Sequence, residues 1–169
     1  DITISRLGVG TWAWGDKATW GMDGYDADLT TSSIREAFLT SVEAGVSLFD
    51  TAEVYGKGRS EQIIGELLAA GDVARHDVQI ATKFMPFPWR IDVARSMRTS
   101  LRASLDRLGV EAVDLYQVHG RVSARGHGAM ADALAAVHAE GLTRAVGVSN
   151  YSVKEMRAIH AALAERGVP

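Results

Sequence analysis

Several side chains capable of proton or carbonyl chemistry fall where apolar runs of the sequence end. Asp50 closes one such run and Tyr55 follows in the next loop. Lys83 ends Ile80-Ala81-Thr82-Lys83, His119 ends Leu115-Tyr116-Gln117-Val118-His119, and Ser149 and Asn150 end another. A tyrosine is a poor proton donor or acceptor near neutrality, because its ordinary pKa is about 10. A lysine ammonium within hydrogen-bond reach favours the phenolate and lowers such a value by about one to three units. An aspartate paired with the lysine keeps it charged and in place, since an unpaired buried ammonium is costly. A neutral histidine on the other side would polarise and orient a carbonyl oxygen. Together these groups are apparatus for giving a proton to a carbonyl, which suits reduction by hydride. Taken singly, each has an ordinary structural explanation: Asp50 as a loop or cap residue, Tyr55 as a turn aromatic beside Gly56 and Gly58, Lys83 as a solvated strand end, His119 as a core histidine. Their convergence on one rim would separate the two readings.

The elements that must position them follow from periodicity. Ile2 to Thr11 reads as a first strand, followed by a Trp- and Gly-rich stretch to Asp28 without helical period. Ser33 and Glu36 have the spacing of a capping box, so a helix is predicted from about Ser33, with Ile34, Ala37, Phe38 and Val42 on one face and Gly45 at its end. Val46–Thr51, Val78–Lys83, Ala112–His119 and Ala145–Asn150 read as further strands. Between them, Ile63, Ile64, Leu67 and Leu68 stripe one helix. Val93, Met97, Leu101, Leu105 and Leu108 stripe a second, and Met130, Leu134 and Val137 a third, closed by Gly141. Ser152 and Glu155 open a last helix with Met156, Ile159 and Leu163 inward. Five alternating strand–helix units imply a parallel sheet covered by helices. Reactive groups at the carboxyl ends of its strands are where such folds carry their sites. Periodicity leaves open whether the sheet is a doubly wound one or part of a barrel.

Composition narrows the class. The 169 residues are 47% hydrophobic and 23% charged, the mix of one ordinary globular domain rather than a disordered or fibrous chain. The absence of cysteine excludes disulfides, zinc ribbons, iron–sulfur clusters and a thiol nucleophile. A net charge of -3 offers no electrostatic case for nucleic acid or an anionic membrane, and no apolar stretch approaches membrane-spanning length. His76, His138 and His160 show no metal-ligand spacing with one another or with His119, so no metal is expected. The chain opens at Asp1 without a methionine or a leader-like segment, and that start is read as a processed or trimmed end. The cytoplasm is the expected location.

Taken in series, the chain resembles the aldo-keto reductases, most nearly their bacterial and plant branch. The carrying residues are Leu7 to Gly15 (LGVGTWAWG), Asp50-Thr51-Ala52-Glu53-Val54-Tyr55-Gly56, Gly58-Arg59-Ser60-Glu61 and Ala81-Thr82-Lys83. Ser104 to Gly109, Asp114 to His119 and Ala145 to Asn150 complete the set, in the family's order. The resemblance implies a catalytic tetrad: Tyr55 as general acid, Lys83 and Asp50 as the pair that tunes it, His119 as orienter of the substrate carbonyl. It also implies NADPH (NADP+) as cofactor, with Gly10, Thr11, Trp12 and Asp50 along it and Ser149 and Asn150 on the nicotinamide carboxamide. Trp14, Trp20 and Trp89 would wall the pocket of a small-molecule aldehyde or ketone. The implied fold is an α/β parallel (β/α)8 TIM barrel, of which residues 1–169 form a single domain of about five units, incomplete at its C-terminal side. Two strand edges, at the first and fifth strands, would then be open. These residues are therefore expected to belong to a longer polypeptide or to self-associate.

Three other readings compete. Gly8-Val9-Gly10-Thr11-Trp12-Ala13 fits the G-x-G-x-x-A dinucleotide fingerprint, with Asp50 on a ribose. That motif should open a helix directly and find its acid about 20 residues later, and neither holds here. A nicotinamide-sensing regulatory subunit would keep the tetrad but bind NADPH with negligible aldehyde turnover. An inactive barrel fragment would keep the family likeness without activity.

Overall fold

The computed structural model describes residues 2–15, 29–120 and 125–168. Among the described residues, five strands, β1 (Gly8–Gly10), β2 (Leu48–Asp50), β3 (Gln79–Phe84), β4 (Val113–His119) and β5 (Thr143–Ser149), alternate with five helices, α1 (Thr31–Glu43), α2 (Arg59–Ala69), α3 (Val93–Leu108), α4 (His127–Ala139) and α5 (Val153–Ala164). Every neighbouring pair of strands is parallel, and the order across the sheet is the order along the chain. A doubly wound sheet reverses its strand order once and places its ligand crevice at the reversal. Here the order never reverses, so the strands form a consecutive arc of the kind from which a (β/α)8 barrel is built.

Alternation along the strands gives the arc two faces. Phe49, Ile80, Phe84, Tyr116 and Val118 are fully buried in the layer between sheet and helices. Asp50, Lys83, Gln117 and His119 fall between them in sequence and face the concave side. The long α3 follows its predicted stripe, with Val93, Met97, Leu101, Leu105 and Leu108 all buried. Full burial of such side chains stabilises by about 1.5–3 kcal/mol each. Asp92 caps its start by accepting from the Arg95 backbone N–H at 3.0 Å, and Gly109 ends it in the left-handed conformation. The predicted Ser152–Glu155 capping box is present at α5.

Four expectations are corrected. Helix α1 begins at Thr31, because Thr30 rather than Ser33 is the cap residue: its extended backbone lets its hydroxyl accept from Ser33 N, while Ser33 Oγ accepts from Thr30 N at 2.9 Å. Strand β1 is limited to Gly8–Gly10 instead of starting at Ile2. Upstream of it the Ser5 hydroxyl, not a backbone carbonyl, takes the amides of Ser47 and Leu48 at 2.9 and 3.2 Å, so the ladder does not extend there. Strand β2 is Leu48–Asp50 rather than Val46–Thr51, and at its start the Val46 amide turns back to the Ser41 carbonyl at 2.9 Å. Met156 is 49% exposed rather than inward: α5 packs chiefly on α4, and no further helix covers that side among the described residues.

Candidate active site

The carboxyl ends of β2, β3 and β4 bring Asp50, Lys83 and His119 to one rim, and the turn after β2 adds Tyr55. Register sets the first two beside each other, since Asp50 lies opposite Ala81, two residues before Lys83. The Lys83 ammonium is almost entirely buried and donates to three acceptors: Asp50 Oδ2 at 2.6 Å, the Thr51 carbonyl at 2.8 Å and Tyr55 Oη at 3.3 Å. An ammonium has three N–H donors, so this one is fully satisfied and fixed in direction. Its charge also lies 4.9 Å from the Tyr55 ring centroid.

Tyr55 is held there by an unusual turn. Across Tyr55–Gly58 the backbone kinks: Gly56, Lys57 and Gly58 all have positive φ, so the segment is left-handed rather than helical. At Gly56 (φ 54°) a Cβ would lie 2.9 Å from the Gly15 carbonyl oxygen, so the loop after β1 presses on the turn that carries the phenol. Only glycine accommodates both the left-handed backbone and that approach.

His119 closes the other side. Its ring meets the Tyr55 ring edge-on, with centroids 5.7 Å apart at 83°. Burial first, and the nearby Lys83 ammonium second, hold its pKa below the ordinary value, so the imidazole is neutral at pH 7. Its Nδ1 is a buried polar atom without a hydrogen-bond partner among the described residues. A neutral ring beside a phenol and an ammonium, with one nitrogen unmatched, is chemically suited to meet an oxygen or amide group brought in by a ligand.

The residues expected along a cofactor lie on the same rim. Gly10 is opposite Asp50 in register, and a Cβ there would meet nothing within 4 Å, which leaves the backbone open to a ligand. Thr11 is fully buried, with its backbone N–H and hydroxyl both donating to the Asp50 carbonyl, at 2.9 and 3.0 Å. Trp12 follows, half-buried. Ser149 is paired with His119 across β4 and β5, and Asn150 beyond it has φ 61° and donates to Ser149 Oγ at 3.2 Å. Ser149, Asn150 and Gly10 thus flank the Asp50–Lys83–His119 group on either side, and their donors and open backbone fit a nicotinamide nucleotide.

The three tryptophans expected at the pocket wall part company. Trp14 is 5% exposed and packs against Phe49 at 6.3 Å, inside the sheet–helix layer. Trp20 lies outside the described residues. Trp89 is 70% exposed and stacks on Phe87 at 4.5 Å, in the loop after β3.

Two contributors were not singled out from sequence. Thr51 holds the ammonium through its carbonyl, a contact that no side-chain pattern reveals. Glu53 braces the loop bearing Trp89: its Oε1 accepts from the Met85 backbone N–H at 2.7 Å and from Arg90 at 2.6 Å. The Arg90 guanidinium in turn lies over the Phe84 ring at 4.7 Å. Glu53 sits inside the quoted Asp50–Gly56 block, and that position was its only signal.

No group of three or more metal-ligating side chains occurs among the described residues, and no helix among them is long and apolar enough to cross a membrane.

Comparison with known proteins agrees with this geometry. The aldo/keto reductase family model matches residues 6–168. The chloroplastic pyridoxal reductase of Arabidopsis thaliana is 35% identical over 99% of this chain and 47% of its own length. The NADH-specific methylglyoxal reductase of Escherichia coli is 31% identical over 93% of this chain and 52% of its own. Among solved structures, the glycerol dehydrogenase of Gluconobacter oxydans superposes with a TM-score of 0.77 at 31% identity, covering 96% of this chain and 50% of that one. An aldo-keto reductase from Klebsiella pneumoniae in complex with NADPH gives 0.76 at 25% identity, covering 94% and 50%. The chain spans about half the length of the curated relatives it matches. With the family model running through nearly all of its residues, the chain belongs to the aldo/keto reductase family.

Proposed function

We propose that the protein is an oxidoreductase reducing a small aldehyde or ketone to the alcohol, with NADPH as cofactor and Tyr55 as proton donor. The observation that carries this reading is the buried Lys83 ammonium bridging Asp50 Oδ2 and Tyr55 Oη, at 2.6 and 3.3 Å. When bound, the nicotinamide supplies hydride to the carbonyl carbon. Everything else falls to the chain. Gly10, Thr11 and Trp12 on one side, with Ser149 and Asn150 on the other, would hold the cofactor across the rim. His119, neutral and edge-on to Tyr55, orients the carbonyl oxygen toward the phenol. Tyr55 gives its proton to that oxygen, and the adjacent ammonium steadies the phenolate left behind, while Asp50 keeps the ammonium aimed. Trp89, and with it the loop braced by Glu53 and Arg90, is the described surface open to the remainder of a substrate.

The described units are part of one (β/α)8 barrel domain under this proposal, with the β1 and β5 edges covered by further chain or by a second copy. The relatives suggest the first carbonyls to try. Pyridoxal and methylglyoxal, with simple aliphatic and aromatic aldehydes, form the panel, and consumption of NADPH is followed at saturating cofactor. Tyr55→Phe is expected to lower turnover at least 100-fold, within the range of general acid catalysis, while NADPH still binds. Turnover that survives this substitution would remove Tyr55 from the mechanism. Tight NADPH binding with no turnover of any carbonyl would instead favour a cofactor-sensing role.

A further inference from the structure

Three hydroxyls lie fully buried directly beneath the rim: Thr11 at the end of β1, Thr51 after β2, and Ser60 in the first turn of α2. Ser60 Oγ is their centre, 2.7 Å from Thr11 Oγ1, 2.9 Å from Thr51 Oγ1 and 2.9 Å from the Thr11 carbonyl. Each hydroxyl has one proton. Ser60 donates to the Thr11 carbonyl, Thr51 donates to Ser60, and the Thr11 proton is shared between Ser60 Oγ and the Asp50 carbonyl. No other partner of the Thr51 hydroxyl is found among the described residues, so without Ser60 it would be a buried orphan. The two flanks of this cluster lead to different parts of the site. Thr11 stands between Gly10 and Trp12, where the proposed cofactor runs. The Thr51 carbonyl accepts from the Lys83 ammonium at 2.8 Å.

We propose that Ser60 is a positioning residue that couples the cofactor-bearing end of β1 to the Lys83 ammonium, so that occupancy of one stiffens the geometry of the other. Ser60 touches neither cofactor nor reacting atoms. It acts by fixing the Thr11 and Thr51 peptides against each other across the β1–β2 boundary. This inference rests on the cofactor site proposed above.

The test is a binding cycle in the intact protein, read by NADP+ quenching of tryptophan fluorescence, independent of turnover. Ser60→Ala is expected to weaken NADP+ about tenfold when Lys83 is present, or about 1.4 kcal/mol. In a Lys83→Met background, where the far end of the chain of bonds is already cut, the same substitution is expected to cost less than about threefold. Equal factors in both backgrounds would overturn the coupling and leave Ser60 a purely structural hydroxyl. Should Ser60→Ala fail to fold, Thr51→Val removes the same link without changing side-chain shape. It must then show the same dependence on Lys83, and equal factors would overturn the proposal in the same way. Failure of the unsubstituted protein to bind NADP+ would sink the cofactor reading itself, and this inference with it. Binding with additive effects would sink the inference alone.

Discussion

Replacing Lys83 by Met deletes the ammonium while keeping an unbranched side chain of similar length in a site that is 4% exposed. Three donated hydrogen bonds disappear together, to Asp50, the Thr51 carbonyl and Tyr55. The consequence for folding is small because no buried charge is stranded. Asp50's side chain is 37% exposed, so water takes over its carboxylate, and a pair screened to that degree contributes little. What remains is one buried carbonyl short of a donor, a cost of about 1–3 kcal/mol, partly offset by burial of the thioether chain. The consequence for chemistry is large. With the ammonium gone, nothing holds Tyr55 Oη in direction or stabilises the oxygen after proton loss, and positioned proton transfer typically contributes about 100- to 10,000-fold. Expected, therefore, is a fall in carbonyl reduction of at least 100-fold, with an unfolding free energy in urea lowered by no more than about 1–3 kcal/mol. The double variant with Tyr55→Phe should be little slower than either single one, because both act on the same proton. The assay is single-turnover NADPH consumption at saturating carbonyl, alongside urea unfolding of each variant. A Lys83→Met protein that folds and turns over within threefold of the parent would refute the role of the ammonium.

Other consequences can be checked in the same protein. His119 has a folded-state pKa below its ordinary value through burial and Lys83, so the unfolded chain binds the proton more readily. Stability should therefore fall as pH drops through about 6.5 toward the depressed value, and His119→Phe should flatten that stretch of a urea-midpoint-versus-pH curve; an unchanged slope would contradict the shift. Glu61 is fully buried, accepting from Thr82 Oγ1 and Arg107 Nε at 2.6 Å each, whereas Arg107 is 24% exposed. Arg107→Ala strands a buried carboxylate and should cost about 3–5 kcal/mol in chemical denaturation. Glu61→Gln keeps an acceptor for Thr82 and lets Arg107 reach water, and should cost less than half as much; equal losses would refute this asymmetry. Gly56→Ala forces a Cβ to within 2.9 Å of the Gly15 carbonyl in a left-handed turn, and should destabilise by about 1–3 kcal/mol and slow turnover by displacing Tyr55. Unaltered melting and turnover would refute that packing.

Much of this architecture could be read before any coordinates because periodicity and strand ends are local signals. The α3 stripe repeats at helical spacing, and the α5 capping box lies within four consecutive positions. Asp50, Lys83 and His119 announced themselves by ending apolar runs. The signal failed where identity says nothing about direction. Ser33 belongs to a cap, but as its third helical residue, and the choice of Thr30 depends on an extended backbone that composition does not encode. Trp14 lies in a Gly-rich stretch suited to a pocket wall, yet it turns to the helix side of the sheet and joins Phe49. Glu61 looks like an ordinary acidic residue of a first helical turn. Its burial depends on Thr82 and Arg107, partners far along the chain, and no window of local sequence contains them.

Strand order identical to chain order also bears on how the site comes into being. Gly8 pairs with Leu48, Leu48 with Gln79, Ala81 with Leu115 and Val113 with Thr143, so each ladder closes onto the unit made just before it. Among the described residues, no pairing waits for a distant segment. A chain emerging from the ribosome can therefore add its units one after another, each docking on a finished neighbour. The four residues proposed to handle the proton lie between Asp50 and His119, inside three consecutive units. Once His119 has left the exit tunnel, all four of these side chains have been synthesised.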